Sequence, residues 1–376
     1  MLLESQTYSR RNAEFSAFSL MKHKMSAMRV YFKQGTSDYL QRQLAHLGVD
    51  ISLARRLQAA VVRGHGQVPT QLEQVSPYKL KAIAEATHIP ELRIIDKRTS
   101  PTDGFTKYVF HGEDDQAFEA VRIPLLHRPG KEKYIVCVSS QVGCAMGCVF
   151  CATGKMGFQR NLQVWEMVDQ VMRIKADSSY PIGGVVFMGM GEPFLNYERV
   201  ITAASVMCEP VGLSIAAKAI TISTVGIVPM IRRYTQEKYP YRLIVSLTAA
   251  NSTKRRQLFP VEKAFPLEEL MQAVREYQAS RGDRATLAWT MLRGINTTEQ
   301  DARELAELVD GLPVRLDIID VNDASGHFEP PTMTELKQFR DDLDKHLAQP
   351  VVRRYSGGAD VHAACGMLAA ITEKQA

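Results

Sequence analysis

From residue 133 onward, short continuous apolar runs alternate with longer segments of helical spacing. The runs predict strands at Tyr134–Val138, Gly184–Met188, Ala219–Ser223, Arg242–Leu247, Thr286–Met291 and Arg315–Ile319. Between them, Leu267, Leu270, Met271, Val274 and Tyr277 share one face of a helix over Leu267–Ala279. Ala302, Leu305, Ala306 and Val309 do the same over Glu299–Val309. Strands buried on both faces read as unbroken apolar runs, and their alternation with helices implies a parallel sheet. Six such units with polar, Gly-rich strand ends fit an α/β fold of the incomplete (β/α)6 barrel type.

Upstream the period changes. Lys107–Phe110 and Phe118–Pro124 alternate apolar and polar positions around the acidic turn Glu113-Asp-Asp115, the pattern of a β-hairpin. Residues 37–95 carry helical spacing instead, with Leu40, Leu44 and Leu47 followed by Leu53, Leu57, Val61 and Val62. Ser76-Pro77 then opens a third helical segment. The expected organisation is an N-terminal arm at 1–36, a small helical domain at 37–100, a β-hairpin extension at 101–132 and the barrel at 133–376.

Composition changes this picture little. Apolar residues make up 45% and charged residues 23% of the 376, ordinary for a globular protein. No apolar run approaches the ~20 residues that span a bilayer, and the N-terminus lacks the pattern of a secretory signal. Six cysteines are too few for a disulfide scaffold of this size, so a reducing compartment, the cytoplasm, is the expected location. The net charge of +5 is unevenly placed: Arg10, Arg11, Lys22, Lys24, Arg29 and Lys33 face only Glu4 and Glu14 in the arm. Such an arm fits either a phosphate-binding segment or a solvated tail.

The cysteines carry the chemistry. Cys144-Ala-Met-Gly-Cys148-Val-Phe-Cys151 curls three thiolates toward one point. Three soft sulfur ligands suit a [4Fe–4S] cluster that keeps one iron without a protein ligand. That iron can chelate the amino and carboxylate groups of S-adenosylmethionine (SAM), whose reductive cleavage yields a 5′-deoxyadenosyl radical. A structural zinc site is the alternative, but it needs a second ligand pair that this chain lacks. The next predicted strand ends in Phe187-Met-Gly-Met-Gly-Glu-Pro193. Glycines there let backbone approach a ligand, and Glu192 can accept hydrogen bonds from the SAM ammonium.

Residues from about 103 to 370 resemble the RlmN/Cfr family of radical-SAM enzymes, which methylate an sp² carbon of adenine in RNA. The matching motifs are Cys137-Val-Ser-Ser-Gln-Val-Gly-Cys144, the cysteine triplet with Ala152-Thr-Gly154, and Gly189-Met-Gly-Glu-Pro193. Thr221–Pro229 and Ala363-Ala-Cys-Gly366 complete the set. The resemblance implies that Cys365 carries a methyl group, that a radical formed on it adds to the base, and that Cys137 resolves the adduct by forming a disulfide. It assigns proton removal to Glu119. SAM contacts carried over by position are Gly191, Glu192, Ser223, Ser246, Leu247, Thr248 and Asn322.

Two departures from the family pattern concern the substrate. Thr248 stands where the family has His, and Asp320 and Asp323 flank Val321-Asn322, adding negative charge near the mouth. The resemblance implies an RNA substrate, rRNA or tRNA, modified at adenine carbon 2. It also implies a reducing electron donor such as flavodoxin, no membrane, and a monomer. A paralogue acting at carbon 8, or on a small molecule or peptide, is the alternative.

Overall fold

The computed structural model describes residues 29–64, 66–323 and 325–369, and it divides into two compact units after Pro90. The first unit is helical. Helices Ser37–Leu44, Ile51–Arg63 and Pro77–Ala86 pack around Phe32, Leu40, Leu44, Leu53, Leu57, Val61, Leu80 and Ile83. The starts are written in sequence: Asp50 accepts from Leu53 N at 2.7 Å, and Ser76 caps a helix whose first residue is Pro77. Strands β1 (Val30–Tyr31) and β2 (Thr87–His88) pair in parallel and close the unit.

This unit departs from the expected boundaries at both ends. Residues 1–28 of the basic arm lie outside the described residues. Its last part, with Phe32 and Lys33 buried, belongs to the helical unit instead. At the other end the helical unit stops at 90 rather than 100, because β3 (Arg93–Thr99) joins the sheet of the second unit.

The second unit is built on one sheet. After β3 come β4 (Thr106–His111), β5 (Ala117–Leu125) and β6 (Lys133–Cys137). A small hairpin of β7 (Gln141–Gly143) and β8 (Phe158–Asn161) stands apart. Then follow β9 (Ile182–Phe187), β10 (Ile220–Thr224), β11 (Arg242–Ser246), β12 (Ala285–Met291), β13 (Val314–Asp320) and β14 (Val351–Arg354). The order is β14-β13-β12-β11-β10-β9-β6-β5-β4-β3. From β6 to β14 all neighbours are parallel, and from β6 to β3 all are antiparallel. The end strands β3 and β14 do not pair, so the barrel is partial.

The six expected strands are all present, and β14 adds a parallel strand to them. Helices cover the sheet between strands: Val164–Ala176, Tyr197–Cys208, Val228–Glu237, Leu267–Arg281, Glu299–Leu308 and Met333–His346. Capping boxes start three of them, at Gln163/Glu166, Thr298/Asp301 and Thr332/Glu335. Among the described residues no helix is long and apolar enough to cross a membrane. The C-terminal ends of the parallel strands point one way. Cys137, Phe187, Thr224, Ser246, Asp320 and Arg354 each end a strand there, and the chemistry-bearing loops follow directly.

Candidate active site

The cysteine loop leaves β7 and returns through β8. Gly143 has φ +70°, and a side chain there would collide with the Gly157 carbonyl. Cys144 N donates to that same carbonyl at 3.0 Å, which pins the start of the loop. Cys151 N donates to Cys148 O at 3.1 Å, turning the last thiol back toward the second. Cys144, Cys148 and Cys151 line one cavity together. Burial pushes the Cys144 thiol up to about 12, and Cys148 well up too, with the neighbouring thiols adding to the rise. Iron must therefore displace these protons when it binds. Among the described residues no Cys, His, Asp or Glu group is arranged to hold a single ion. A cluster asks for something else, since each thiolate binds a different iron, and this all-sulfur donor set fits one.

Across the cavity stand Gly189, Gly191, Glu192, Ser223, Ser246 and Asn322. The two glycines are required by the protein itself. A Cβ at Gly189 would lie 2.8 Å from Val138 backbone, and at Gly191, φ +99°, it would strike Gln141. Their lack of a side chain thus lets the end of β9 lie against neighbouring backbone while both glycines stay on the cavity wall. Glu192 is buried, and its carboxylate accepts from Phe194 N and Val225 N, both at 2.9 Å. Burial raises its carboxyl to about 7 against the pull of those donors. A ligand ammonium would restore the charged form. Gln141, which sequence reasoning missed, accepts from Glu192 N at 2.9 Å and donates to Asn161 at 2.7 Å. Its long-range partners left no local signal.

Leu247 and Thr248 do not line this cavity. Both are buried, and Thr248 N donates to Ala288 O at 3.2 Å while its hydroxyl accepts from Thr290 N at 3.3 Å. Thr248 also has φ +59°, a left-handed conformation that strains a β-branched residue. Asn296 holds it there, donating to Thr248 O at 2.7 Å and Thr290 O at 2.8 Å, and accepting from Leu292 N at 2.7 Å. Asn296→Ala strands these buried groups, and a loss of roughly 2–4 kcal/mol is expected in urea unfolding. A loss below about 1 kcal/mol would show that the hub is not needed.

Cys365 follows β14 and lines the cluster cavity and a second cavity that it shares with Cys137. Its N–H donates to Ser356 Oγ at 2.9 Å, and Asn322 donates to the same oxygen at 3.1 Å. Ala152 N donates to Gly366 O at 2.7 Å, so the Cys365 segment is tied to the cluster loop. All six cysteines are free thiols, with Cys137 buried and Cys365 exposed. Cys208 ends its helix outside both cavities.

Glu119 is placed differently. It lies on β5 two residues from Val121, which lines the Cys137 cavity, but is itself on the wall of neither cavity. Its buried carboxylate pairs with Lys107 Nζ at 3.0 Å and accepts from Ala369 N at 2.9 Å, beneath the segment that follows Cys365. The added negative charge at the mouth is also compensated. Arg353 pairs with Asp320 at 2.6 Å, and Lys155 with Asp323 at 3.4 Å.

Comparison with known proteins agrees with this arrangement. The Radical SAM superfamily profile matches residues 138–309. A probable RNA methyltransferase of Anaeromyxobacter sp. (strain Fw109-5) is 49% identical over 326 residues, 86% of this chain and 95% of that one. A probable dual-specificity RNA methyltransferase RlmN of Pseudothermotoga lettingae is 33% identical, over 89% of this chain and 95% of that one. The crystal structure of a radical SAM methyltransferase from Sphaerobacter thermophilus superposes with a TM-score of 0.81 at 32% identity, covering 91% of this chain and all of that one. With relatives this similar along most of their length, the chain belongs to the RlmN/Cfr family of radical-SAM methyltransferases, whose cofactors are a [4Fe–4S] cluster and S-adenosylmethionine.

Proposed function

We propose that this enzyme methylates carbon 2 of adenine in RNA, with Cys365 as the carrier of the methyl group. The observation that carries the reading is the position of Cys365 on the walls of both cavities, one with the cysteine triplet and one with Cys137. Relatives named as RNA methyltransferases, RlmN among them, support the substrate class. The pairing of Asp320 and Asp323 removes the electrostatic objection to an RNA backbone at the mouth.

Cys144, Cys148 and Cys151 would hold the cluster, and Glu192, Ser223, Ser246 and Asn322 would hold SAM. Together the bound groups supply a methyl group and a 5′-deoxyadenosyl radical. The protein's own residues do the rest. Adenine carbon 2 is electrophilic, so the methyl group must first reside on a nucleophile, and Cys365 is the exposed thiol at the cavity. The Ser356 hydroxyl fixes its backbone. After hydrogen-atom removal from the S-methyl group, the carbon joins the base. Glu119 accepts the base proton once the segment over it shifts, and the unpaired electron left on the base would return to the redox group held by the cysteine triplet. Cys137 then attacks the Cys365 sulfur: the S–S bond forms as the sulfur–carbon bond breaks, and the released carbon takes up a proton to give the methylated base. An external reductant, of flavodoxin type, supplies electrons.

Protein isolated after expression is expected to carry one added methylene, on Cys365 and on no other cysteine, by intact-mass and peptide analysis. RNA incubated anaerobically with reconstituted enzyme and labelled SAM should yield labelled 2-methyladenosine. Label at carbon 8, or none in RNA, would reject the assigned product. Methylation found at Cys137 or Cys208 instead would reject the carrier.

A further inference from the structure

A guanidinium is sealed beneath the cofactor wall. Arg255, on the helix Ser252–Leu258, is fully buried, and so is its ion-pair partner Glu262. Its Nε donates to Glu262 at 2.9 Å. Nη1 donates to the carbonyls of Ser246, at 3.0 Å, and Leu247, and Nη2 to that of Val225 at 2.6 Å. Those carbonyls end β11 and follow β10, beside the wall residues Ser246 and Ser223. The same stretch also grips the cysteine loop. Val149 N donates to Leu258 O at 3.2 Å, Phe150 meets Phe259 edge-on with centroids 5.4 Å apart, and a side chain at Gly147 would meet Pro260. The guanidinium lies over the Phe259 ring at 4.7 Å, and Phe259 lines the cavity with Cys148.

We propose that Arg255 is a positioning residue that locks the β10 and β11 rims against the cysteine loop and sets a buried positive charge behind Cys148, raising the cluster's reduction potential. The proposal rests on Cys144, Cys148 and Cys151 being the cluster ligands. Uptake of one electron from an external reductant takes the cluster from the 2+ to the 1+ state and adds one negative charge. A fixed cation in a low-dielectric surrounding favours that state. Glu262 does not cancel it. Glu262 meets the guanidinium on its Nε side and is also held by Leu267 N at 2.9 Å, whereas Nη1 and Nη2 face the rim carbonyls and the guanidinium lies over Phe259, which shares the cavity wall with Cys148. Lysine keeps the charge but has no planar fork to bridge the rims.

The test compares reconstituted wild type with Arg255→Lys and with the double variant Arg255→Met, Glu262→Gln. The double variant removes both charges, leaving no lone carboxylate in the core. SAM affinity and the cluster midpoint potential, by redox titration followed by electron paramagnetic resonance without SAM, are measured on each. Arg255→Lys is expected to bind SAM roughly tenfold more weakly with a near-wild-type potential. In the double variant the reduction equilibrium should move roughly tenfold toward the oxidised state, about 59 mV for one electron. An unchanged potential in the double variant, or an equal shift in Arg255→Lys, overturns the role of the charge. Undiminished SAM binding by Arg255→Lys overturns the role of the fork. A wild-type chain that assembles no cluster would instead overturn the reading of the site itself.

Discussion

A Cys137→Ala enzyme is expected to stop after a single attack and to hold its substrate covalently on Cys365. Cys137 ends β6, is 6% exposed, and lies opposite Val121 and Val186 in the sheet. Losing one buried sulfur leaves a small void, costing about 1 kcal/mol, so the fold survives. Under the proposed mechanism the variant still accepts a methyl group on Cys365, cleaves SAM and joins carbon to the base. It then lacks the thiol that would displace the product. Turnover should fall below about one product per enzyme while a protein–substrate adduct accumulates. The trapped molecule names the substrate: RNA supports the proposed function, and a peptide or small metabolite replaces it. If Cys137 merely packs, the variant turns over normally, and repeated turnover without adduct would sink the resolving role.

Replacing Cys144, Cys148 and Cys151 together by alanine should abolish the brown chromophore and all release of 5′-deoxyadenosine. The three thiols are the sulfur donors on one wall of one cavity, and no second cysteine pair stands beside them to take over. Cys365 reaches the same cavity but sits on a separate segment. Backbone bonds from Cys144 N and Cys151 N do not depend on the side chains, so the loop keeps its path. Cys208→Ala, outside both cavities, serves as the control with full iron content. A triple variant that retained wild-type iron and sulfide would falsify the ligand assignment.

The barrel strands were legible because parallel strands covered on both faces read as continuous apolar runs, as Leu287, Ala288 and Trp289 do. β14 was not, since Val351–Arg354 is short, polar at its end and only half covered at an open edge. β3 escaped for the same reason. Its exposed residues, Ile94 and Ile95 among them, show no alternation, and they read as a tail of the helical region. In the site, the cysteine triplet and Glu192 were visible from their own chemistry, and Cys137, Cys365, Ser223, Ser246 and Asn322 through the family resemblance. Residues that act on distant backbone were not. Arg255 and Asn296 hold carbonyls and amides of loops remote in sequence, and no local pattern marks them. Thr248 shows the converse, a position matched by motif whose side chain the fold turns away from the cavity.

The unequal exposure of Cys137 and Cys365 bears on how the enzyme is re-armed between cycles. Under the proposed mechanism, once the two sulfurs are joined only the Cys365 half would face solvent, so a reducing thiol would strike there and expel Cys137. Burial, with Cys365 nearby, pushes the Cys137 thiol up to about 12, and Arg354 offsets only part of that. A more basic thiolate is a poorer leaving group, which works against exchange at such a bond. Under the proposed mechanism each further round waits on recovery of the dithiol, so repeated turnover requires a thiol reductant as well as the electron donor.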